Sequence, residues 1–402
     1  MRKIFSFFFA SLLAVQLFAV PAKPGKRIFI NPNGEQVEYE VHGDEFCHYM
    51  VDADENILEE NEEGFLRIKE KVSDQAIKAR RAASNVADAP AIRRAGKVNL
   101  APRGLFILVN FKDTKYQSSN TLAAMTEMIN STGHTYNFDG SLGSVRDYFI
   151  DQSEGQYNPQ FDVYGPVTVS QKSSYYAGND GTQYAYKMVI EACQALDNQV
   201  DFSLYDGDND GKIDFVYVIY AGKGQADGGG SSTIWPHQYY IYDGVGQTVK
   251  LDGKILNSYA CGGELNGQSG RRYGIGTLCH EFGHVLGLPD YYDTNNSGYN
   301  NRYYRTPGYW HIMDAGSYNN NGITPPNYAA HDKYFLGWQT PTKLSDPENV
   351  VLPADGKTYR MLNQAGVYSA TTTNTTYYFE NRQQTGWDAY QPGHGLLVWK
   401  VS

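Results

Sequence analysis

The stretch 279–293 reads CHEFGHVLGLPDYYD and contains the residue types that bind and use a metal ion. His280 and His284 are four residues apart, which places both imidazoles on one face of a helix. Two imidazoles and a third nitrogen or oxygen ligand suit zinc, and a fourth position left to water makes such a site catalytic. Glu281 follows the first histidine, where its carboxylate can accept a proton from that water. The spacing therefore predicts a zinc hydrolase.

The residues after His284 predict a turn that brings a third ligand to the metal. Gly287 can end the helix, because glycine adopts left-handed backbone angles at little cost. Asp290 would then reach the same metal, and Asp293 is close enough to be a rival for that position. A short H-E-x-x-H also arises by chance on ordinary amphipathic helices, whereas the extended H-E-x-x-H-x-x-G-x-x-D is much harder to reach by accident.

A second stretch, DGDNDGKID at residues 206–214, carries the hard oxygen ligands that Ca²⁺ requires. Gly211 permits the sharp turn of such a loop, and the predicted ligands are Asp206, Asp208, Asp210, Asp214 and the backbone carbonyl of Lys212. The last EF-hand ligand would be glutamate, but Tyr217 stands there, so we predict a calcium loop that leads into a strand and differs from an EF-hand. The alternative is a solvated acidic turn without an ion.

The elements around these motifs predict an α+β (α/β-like) catalytic domain at residues 99–341. Apolar runs at 105–111 and 215–222 are typical of buried strands. Helical periodicity covers 144–153 and about 182–197. Because strands and helices alternate, we expect a twisted mixed sheet with a backing helix and the zinc-binding helix packed on it.

The first residues predict export from the cytoplasm. A short basic start is followed by the apolar run 4–17, and the small residues Ala19 and Ala22 offer cleavage points, so we assign 1–19 as a signal peptide. The protein is therefore expected to be secreted, periplasmic or on the cell surface, with no membrane span after signal removal. Its net charge of −10, without a large basic cluster, argues against a nucleic-acid partner.

Residues 20–98 predict a small antiparallel β pro-domain followed by a basic linker. Short strands separated by turn signals fill 26–69, and Arg80-Arg81 and Arg93-Arg94 mark a segment open to proteolysis. A small module, a cleavable linker and a zinc site together suggest a zymogen, with the pro-domain as intramolecular inhibitor. The alternative for the linker is a plain interdomain tether. Candidate blocking groups for the zinc are the Cys47 thiolate, which could equally be a packed strand residue, and the carboxylates of Asp44 or Asp52.

Residues 342–402 predict a β-rich C-terminal segment that ends in GLLVWKVS. This last strand has no later partner in the sequence, so the chain either stops within a sheet or belongs to something longer. The four cysteines are too few for a disulfide framework in a chain of 402 residues.

Several motifs together resemble the immune inhibitor A family of secreted bacterial metalloproteases, which belongs with the metzincins. They are HEFGHVLGLPDYYD, the turn containing Trp310 and Met313, the Asp-rich loop before a hydrophobic strand, and YYFENRQ with PGHGLLVW. The resemblance runs from about Gly104 to Val401 and is weaker in the pro-domain. It implies a metzincin-like fold and cleavage of protein or peptide substrates with zinc.

The resemblance also implies roles for single residues. His280, His284 and Asp290 would be the zinc ligands, Glu281 the general base, and Met313 the methionine turn beneath the metal. Two positions depart from the family pattern: His311 follows Trp310 where relatives more often have aspartate, and Ala315 stands where several metzincins have an oxyanion-stabilising tyrosine. Tyr318 is the nearest substitute, although it could simply pack on the turn.

Two other functions compete with a peptidase. One is a zinc hydrolase that acts on a non-peptide substrate, since its site chemistry would be similar. The other is an inactive, calcium-stabilised surface-binding protein, which the 33 tyrosines and the β-rich tail would suit, but which an intact Glu281 disfavours. The sequence contains no G-x-S-x-G, phosphate loop or dinucleotide fingerprint, which argues against other catalytic classes.

Overall fold

The structure is a computed structural model that describes residues 18–45, 47–83, 103–292, 306–344, 349–354, 356–362 and 375–401. Asp293 and the second arginine pair of the linker lie outside the described residues. The strands are β1 (Phe18–Ala19), β2 (Arg27–Ile30), β3 (Gln36–Gly43), β4 (His48–Val51), β5 (Asn56–Glu60), β6 (Leu66–Lys71), β7 (Arg103–Asn110), β8 (Gln160–Thr168), β9 (Lys212–Ile213), β10 (Val216–Lys223), β11 (His237–Tyr240), β12 (Lys250–Leu251), β13 (Lys254–Leu256), β14 (Ser258–Leu265), β15 (Thr342–Lys343), β16 (Tyr359–Leu362), β17 (Thr376–Arg382) and β18 (Gly395–Val401). The α-helices are α1 (Asp74–Ala83), α2 (Leu122–Asn130), α3 (Val145–Gln152), α4 (Ser173–Ala177), α5 (Ala185–Ala195), α6 (Tyr242–Val245), α7 (Gly276–Val285) and α8 (Ala330–Phe335).

A six-stranded mixed sheet forms the centre of the molecule, in the order β1-β11-β14-β10-β7-β8. The pairs β14–β10, β10–β7 and β7–β8 are parallel, whereas β11 runs antiparallel to β14 and β1 antiparallel to β11. The two predicted apolar runs are the adjacent central strands β7 and β10, buried along most of their length. The α+β class is confirmed.

Alternating residues of the central strands pack against helices on both faces of this sheet. On one face, Phe106 and Ile219 share a cluster with Phe282 of α7 and with residues of α2 and α3. On the other, Val109 and Val218 share a cluster with residues of α5. Because burying one large apolar side chain stabilises a fold by about 1.5–3 kcal/mol, the first of these layers holds α7 firmly against the sheet.

Helix α3 begins where its sequence predicts. Ser144 accepts a hydrogen bond from the Asp147 N–H, and the Asp147 carboxylate accepts one from the Ser144 N–H, which completes a capping box. Gly155 follows the helix with a φ of 80°. Helix α2 had no comparable signal in the sequence analysis, and it packs beside α3 with Met125, Met128 and Ile129 buried.

Three smaller sheets accompany the central one, and the shortest of them joins β12, β13 and β9. The N-terminal sheet is antiparallel, in the order β2-β3-β4-β5-β6, as the hairpin pattern predicts, although β5 was not predicted. The C-terminal sheet has the order β15-β16-β17-β18, and the predicted final strand pairs with β17. A search of the described residues found no helix with the length and apolar character needed to cross a membrane.

Candidate metal centre and catalytic site

The predicted zinc-binding helix is α7, and it ends as its sequence predicts. Gly287 adopts a φ of 95° immediately after the helix. The Leu288 N–H then donates to the Gly283 carbonyl, and the chain turns back toward the helix. This turn delivers Asp290 to the face that carries His280 and His284.

The three predicted ligands converge on one buried point. The Nε2 atoms of His280 and His284 lie 3.1 Å apart, and Asp290 Oδ1 lies 3.3 Å from the first and 3.2 Å from the second. A tetrahedral zinc ion with bonds of about 2.1 Å separates its ligand atoms by about 3.4 Å. The three side chains are at most 5% exposed. Their spacing and chemistry fit zinc.

The protons of the two imidazoles point away from this centre. His280 Nδ1 lies 2.6 Å from the Ile312 carbonyl and His284 Nδ1 lies 2.8 Å from the Leu288 carbonyl, so each Nδ1–H donates outward and each Nε2 keeps its lone pair. Asp290 Oδ1 is buried and has no hydrogen-bond partner among the described residues. Three acceptor atoms thus face one another within 3.3 Å, an arrangement that a cation stabilises.

Burial and mutual contacts shift the pKa values of the ligands in ways that also suit a metal. Burial lowers the pKa of His284, although Asp290 partly opposes that change. Burial alone would raise the pKa of Asp290, but the two imidazoles lower it below its ordinary value. The site therefore favours a neutral imidazole and an ionised carboxylate, the protonation states in which these groups bind metals.

Glu281 is fully buried beside the ligands, and its carboxylate contacts the backbone of Val20. Its Oε1 accepts a hydrogen bond of 3.1 Å from the Val20 N–H, and its Oε2 has no partner among the described residues. Burial, with a contribution from Asp290, raises its pKa well above the ordinary value. A buried carboxylate of this kind can accept a proton and later release it.

Met313 forms the floor beneath α7, as the resemblance implies. It is fully buried, and a side chain on Gly283 would come within 2.5 Å of the Met313 sulfur. A side chain on Gly283 would therefore force Met313 to shift. The preceding residue, Ile312, supplies the carbonyl that accepts the His280 proton.

The segment Phe18–Lys23, which we call the strap, runs through the cleft in front of the three ligands. Its first two residues form β1 and pair with β11. The Ala19 carbonyl oxygen lies 3.3 Å from His280 Nε2 and accepts a hydrogen bond of 2.5 Å from the Tyr292 hydroxyl. With the Val20 N–H on Glu281, both sides of the Ala19–Val20 peptide bond contact the candidate catalytic groups. The predicted end of the signal peptide therefore lies in the cleft.

Further hydrogen bonds hold the strap beyond this peptide bond. Trp235 Nε1 donates to the Val20 carbonyl at 3.0 Å, and the Tyr318 hydroxyl donates to the Pro21 carbonyl at 2.6 Å. The Lys23 N–H donates to the Ala226 carbonyl at 2.9 Å. Tyr318, the predicted oxyanion stabiliser, thus contacts a carbonyl two residues beyond that of Ala19. Tyr292, for which the sequence contains no such signal, makes the contact with Ala19.

A pro-domain carboxylate also reaches the site, but it is Glu45 rather than the predicted candidates. Glu45 Oε2 lies 2.9 Å from the Tyr292 hydroxyl, and burial together with Asp44 and Asp290 raises the pKa of Glu45 well above its ordinary value. No sequence signal distinguishes Glu45 from neighbouring acidic residues.

The three candidate blocking groups have local roles. Cys47 Sγ lies 4.0 Å from the Ile77 carbonyl, and Asp44 Oδ1 accepts from the Cys47 N–H. Asp52 accepts from the backbone and side chain of Asn56. Within the described part of the chain, none of the three joins the cluster of His280, His284 and Asp290.

The Asp-rich loop brings three of its carboxylates together. Oxygens of Asp206, Asp208 and Asp210 lie within 4.8 Å of one another. Asp206 Oδ2 also lies 2.5 Å from Lys254 Nζ. Asp214 Oδ2 accepts from the Gly207 N–H, and Asp214 lies outside this group of three. Asp206 Oδ1 is buried and has no hydrogen-bond partner among the described residues. These oxygens fit a hard cation such as Ca²⁺.

A second cluster of two histidines and an aspartate lies beneath the first and was not predicted. Its members are His311, His331 and Asp332. Tyr291 joins the two clusters: its ring stacks edge-on against His311 at 4.5 Å, and its N–H donates to the Met313 carbonyl. One hint of this cluster was His311, because it departs from the pattern of the family that the sequence resembles.

Comparisons with known proteins agree with this geometry. Residues 102–342 match the family model described as the catalytic domain of Immune inhibitor A peptidase M6. The pre-pro-metalloprotease PrtV of Vibrio cholerae is 28% identical over 278 residues, which cover 58% of this chain and 29% of PrtV. Immune inhibitor A of Bacillus thuringiensis subsp. alesti is 28% identical over 231 residues, 49% of this chain and 32% of that protein. The chain thus spans about a third of the length of these relatives.

Proposed function

This chain belongs to the immune inhibitor A peptidase M6 family, and on that premise we propose that it is a secreted zinc metalloendopeptidase made as a zymogen. The proposed ligands are His280, His284 and Asp290, with Glu281 as the general base. The observation that carries the proposal is the meeting of three buried acceptor atoms within 3.3 Å, beside a carboxylate that contacts a peptide bond.

The mechanism follows from the contacts of the Ala19–Val20 bond. Zinc, when bound, lowers the pKa of a water molecule and polarises the substrate carbonyl. Glu281 accepts the proton of that water, and its raised pKa lets it hold the proton until bond cleavage. Because the Val20 N–H contacts Glu281 Oε1, the same carboxyl group is placed to protonate the leaving amine.

The contact of Tyr292 supports a role in stabilising the oxyanion. Its hydroxyl donates to the Ala19 carbonyl oxygen, the atom on which negative charge would develop. Tyr318 instead holds a carbonyl two residues further along, so we assign it to substrate binding. The alternative predicted role of Tyr318, packing on the turn, is compatible with the burial of its side chain.

The strap supports latency through occupation of the cleft. The part of the strap that follows the predicted signal peptide, residues 20–23, uses backbone groups that an extended substrate would use, so a substrate cannot bind there until the strap leaves. The carboxyl group of Glu45, held on Tyr292, adds a second obstruction from the pro-domain. We propose that cleavage in the linker after α1 releases both.

Export and calcium binding complete the proposal. If the signal peptidase cuts after Ala19, residues 20–23 stay in the cleft and begin with an amino group on Glu281. The Asp206 loop is proposed to hold structural Ca²⁺ and to brace β9 and β10, which follow it. A metzincin-like fold would accommodate the zinc-binding helix α7 and the Met313 turn.

The strap also favours a peptidase over the two competing functions. A cleft that holds an extended peptide by its backbone, with the catalytic groups on one peptide bond, suits peptide substrates better than non-peptide ones. An inactive binding protein would not require a buried Glu281 with a raised pKa.

The decisive experiment replaces Glu281 by glutamine in the full chain. E281Q should keep about one zinc per chain, because Glu281 is not a ligand, and should lose casein and gelatin cleavage by about 10³-fold. The control is E191Q, which alters a carboxylate that contacts Tyr176 on the opposite face of the sheet. Normal cleavage by E281Q would refute the assignment.

A further inference from the structure

A buried ion pair holds the far end of the strap. Lys23 Nζ lies 2.8 Å from Asp227 Oδ1, and the two side chains are only 5% and 4% exposed. Within the described residues, Lys23 Nζ has no hydrogen bond to another acceptor. Its charge is therefore balanced by Asp227, and burying either group alone would be costly.

The backbone of the catalytic domain holds Asp227 in a defined position. Asp227 ends a short 3-10 turn, and its Oδ2 accepts a hydrogen bond of 2.6 Å from the Gly267 N–H. Gly267 must be glycine here, because a side chain would lie 1.6 Å from the Asp227 carbonyl oxygen. The Gly267 backbone thus holds this carboxylate in place beside Lys23.

The cations around Asp227 come from the pro-domain side of the chain. Lys23 forms the ion pair, and Arg27, whose guanidinium donates to the carbonyls of Lys23 and Ala226, lies close enough to influence Asp227. No described residue after 103 forms an ion pair with Asp227 in this structure. When this part of the chain leaves, Asp227 loses both of these cations.

The strap runs through the site as a substrate would. Its side chains therefore indicate which substrate residues the site can accept. If Ala19–Val20 marks the bond to be cleaved, Lys23 is the fourth residue after it. We infer that Asp227 forms a subsite for a basic residue at the fourth position after the scissile bond, and that Lys23 occupies this subsite in the latent protein. The inference rests on the proposed peptidase function and deepens it.

The first experiment tests whether the ion pair between Lys23 and Asp227 keeps the strap in the cleft. Full-length, zinc-loaded K23M and D227N should each hydrolyse a quenched peptide about tenfold faster than the parent chain. The matched control is K26M, because Lys26 pairs with Glu38 at an exposed site three residues further along. The reversed pair K23E/D227K should return the rate to that of the parent. Unchanged rates in both K23M and D227N would overturn the claim that Lys23 occupies the subsite as a latch.

The second experiment measures specificity with peptides that differ only at the fourth residue after the scissile bond. K23M should prefer lysine over norleucine there by about tenfold in kcat/KM, and K23M/D227N should show no preference. K23E/D227K, after the linker has been cut, should prefer glutamate. Equal rates on the lysine and norleucine peptides with K23M would overturn the subsite.

A binding measurement separates this inference from the proposed function. Fluorescence anisotropy with the same labelled peptides should show tighter binding of the lysine peptide to K23M than to K23M/D227N. Asparagine can still accept from the Gly267 N–H, so the D227N turn should remain intact. A chain that binds zinc and cleaves no peptide would refute the peptidase assignment, and the anisotropy difference would still decide the subsite.

Discussion

The two buried clusters of two histidines and one aspartate have the same composition and different chemistry. In the upper cluster, formed by His280, His284 and Asp290, each imidazole donates its proton to a carbonyl outside the cluster. In the lower cluster, the Met313 N–H donates to His311 Nδ1 at 3.0 Å, so the proton of His311 must be on Nε2, 2.7 Å from Asp332 Oδ2. The upper cluster presents lone pairs, whereas His311 in the lower cluster directs its N–H at the Asp332 carboxylate.

The difference shows that residue type and burial do not by themselves define a metal site. The position of each imidazole proton depends on the backbone group that contacts the other ring nitrogen. His311 cannot bind a metal through Nε2 while its Nδ1 accepts a backbone hydrogen. The lower cluster instead supports the upper one, since Tyr291 links it to the turn that carries Ile312 and Met313.

Removal of a ligand from the upper cluster should have the largest effect. D290A should lower bound zinc from about one per chain to about a tenth or less, and activity by at least about 10³-fold, because the metal loses a charged ligand. Metal analysis by mass spectrometry and a casein assay measure both. Full zinc content in D290A would leave Asp293 as the better candidate for the third ligand.

Removal of the Tyr292 hydroxyl should have the next largest effect. Y292F should lower kcat by about 100-fold while zinc stays bound, because one donor to the developing oxyanion is lost. The assay uses chains whose linker has been cut, so that the strap does not obscure the change. Y318F is the matched control and should raise KM a few-fold at nearly constant kcat. A large loss of kcat in Y318F, with kcat nearly unchanged in Y292F, would identify Tyr318 as the oxyanion donor.

Disruption of the lower cluster should reduce stability and leave zinc in place. D332N should lower the free energy of unfolding by about 3 kcal/mol, because it breaks a buried, hydrogen-bonded charge. Urea titration of metal-free protein measures this change, and metal analysis should still find about one zinc. Two zinc ions in the parent chain and one in D332N would contradict the contrast between the clusters.

The difference in stability between the parent chain and D332N should depend on pH. Burial opposes ionisation of Asp332, but His331 and His311 hold its pKa well below the ordinary value. A depressed pKa stabilises the fold at pH values above the ordinary aspartate pKa of about 3.9, and that stabilisation is lost as the pH falls toward the depressed value. The stability gap between parent and D332N should therefore be constant from pH 7 to 5 and narrow below pH 4.

Calcium should have the smallest effect. Saturating Ca²⁺ should raise the melting temperature by about 2–4 °C, equivalent to about 1 kcal/mol, because it must displace Lys254 from Asp206. Differential scanning calorimetry with Mg²⁺ as the control ion measures the shift. D208A/D210A should abolish the response, and an unchanged response would show that calcium acts elsewhere.

Much of the fold and the first half of the site could be predicted because their signals are local. The apolar runs of β7 and β10, the capping box of Ser144 and the helix carrying His280 and His284 depend on contacts within a few residues. Helix α2 and strand β5 were not predicted, although Thr121 caps α2 and turn residues flank β5, because each is short and depends on packing against its neighbours. The contact of Tyr292 with Ala19 spans 273 positions and leaves no spacing to recognise.

The sequence by itself determined the ligand types, the helix that presents two of them and the glycine turn that delivers the third. These features follow from helical periodicity and from the backbone freedom of Gly287, which act over about ten residues. The tertiary structure alone decided where the imidazole protons lie, which tyrosine meets the cleavable bond, and that Lys23 meets Asp227. Each of these depends on backbone groups and side chains brought together by long-range packing, which residue spacing does not record.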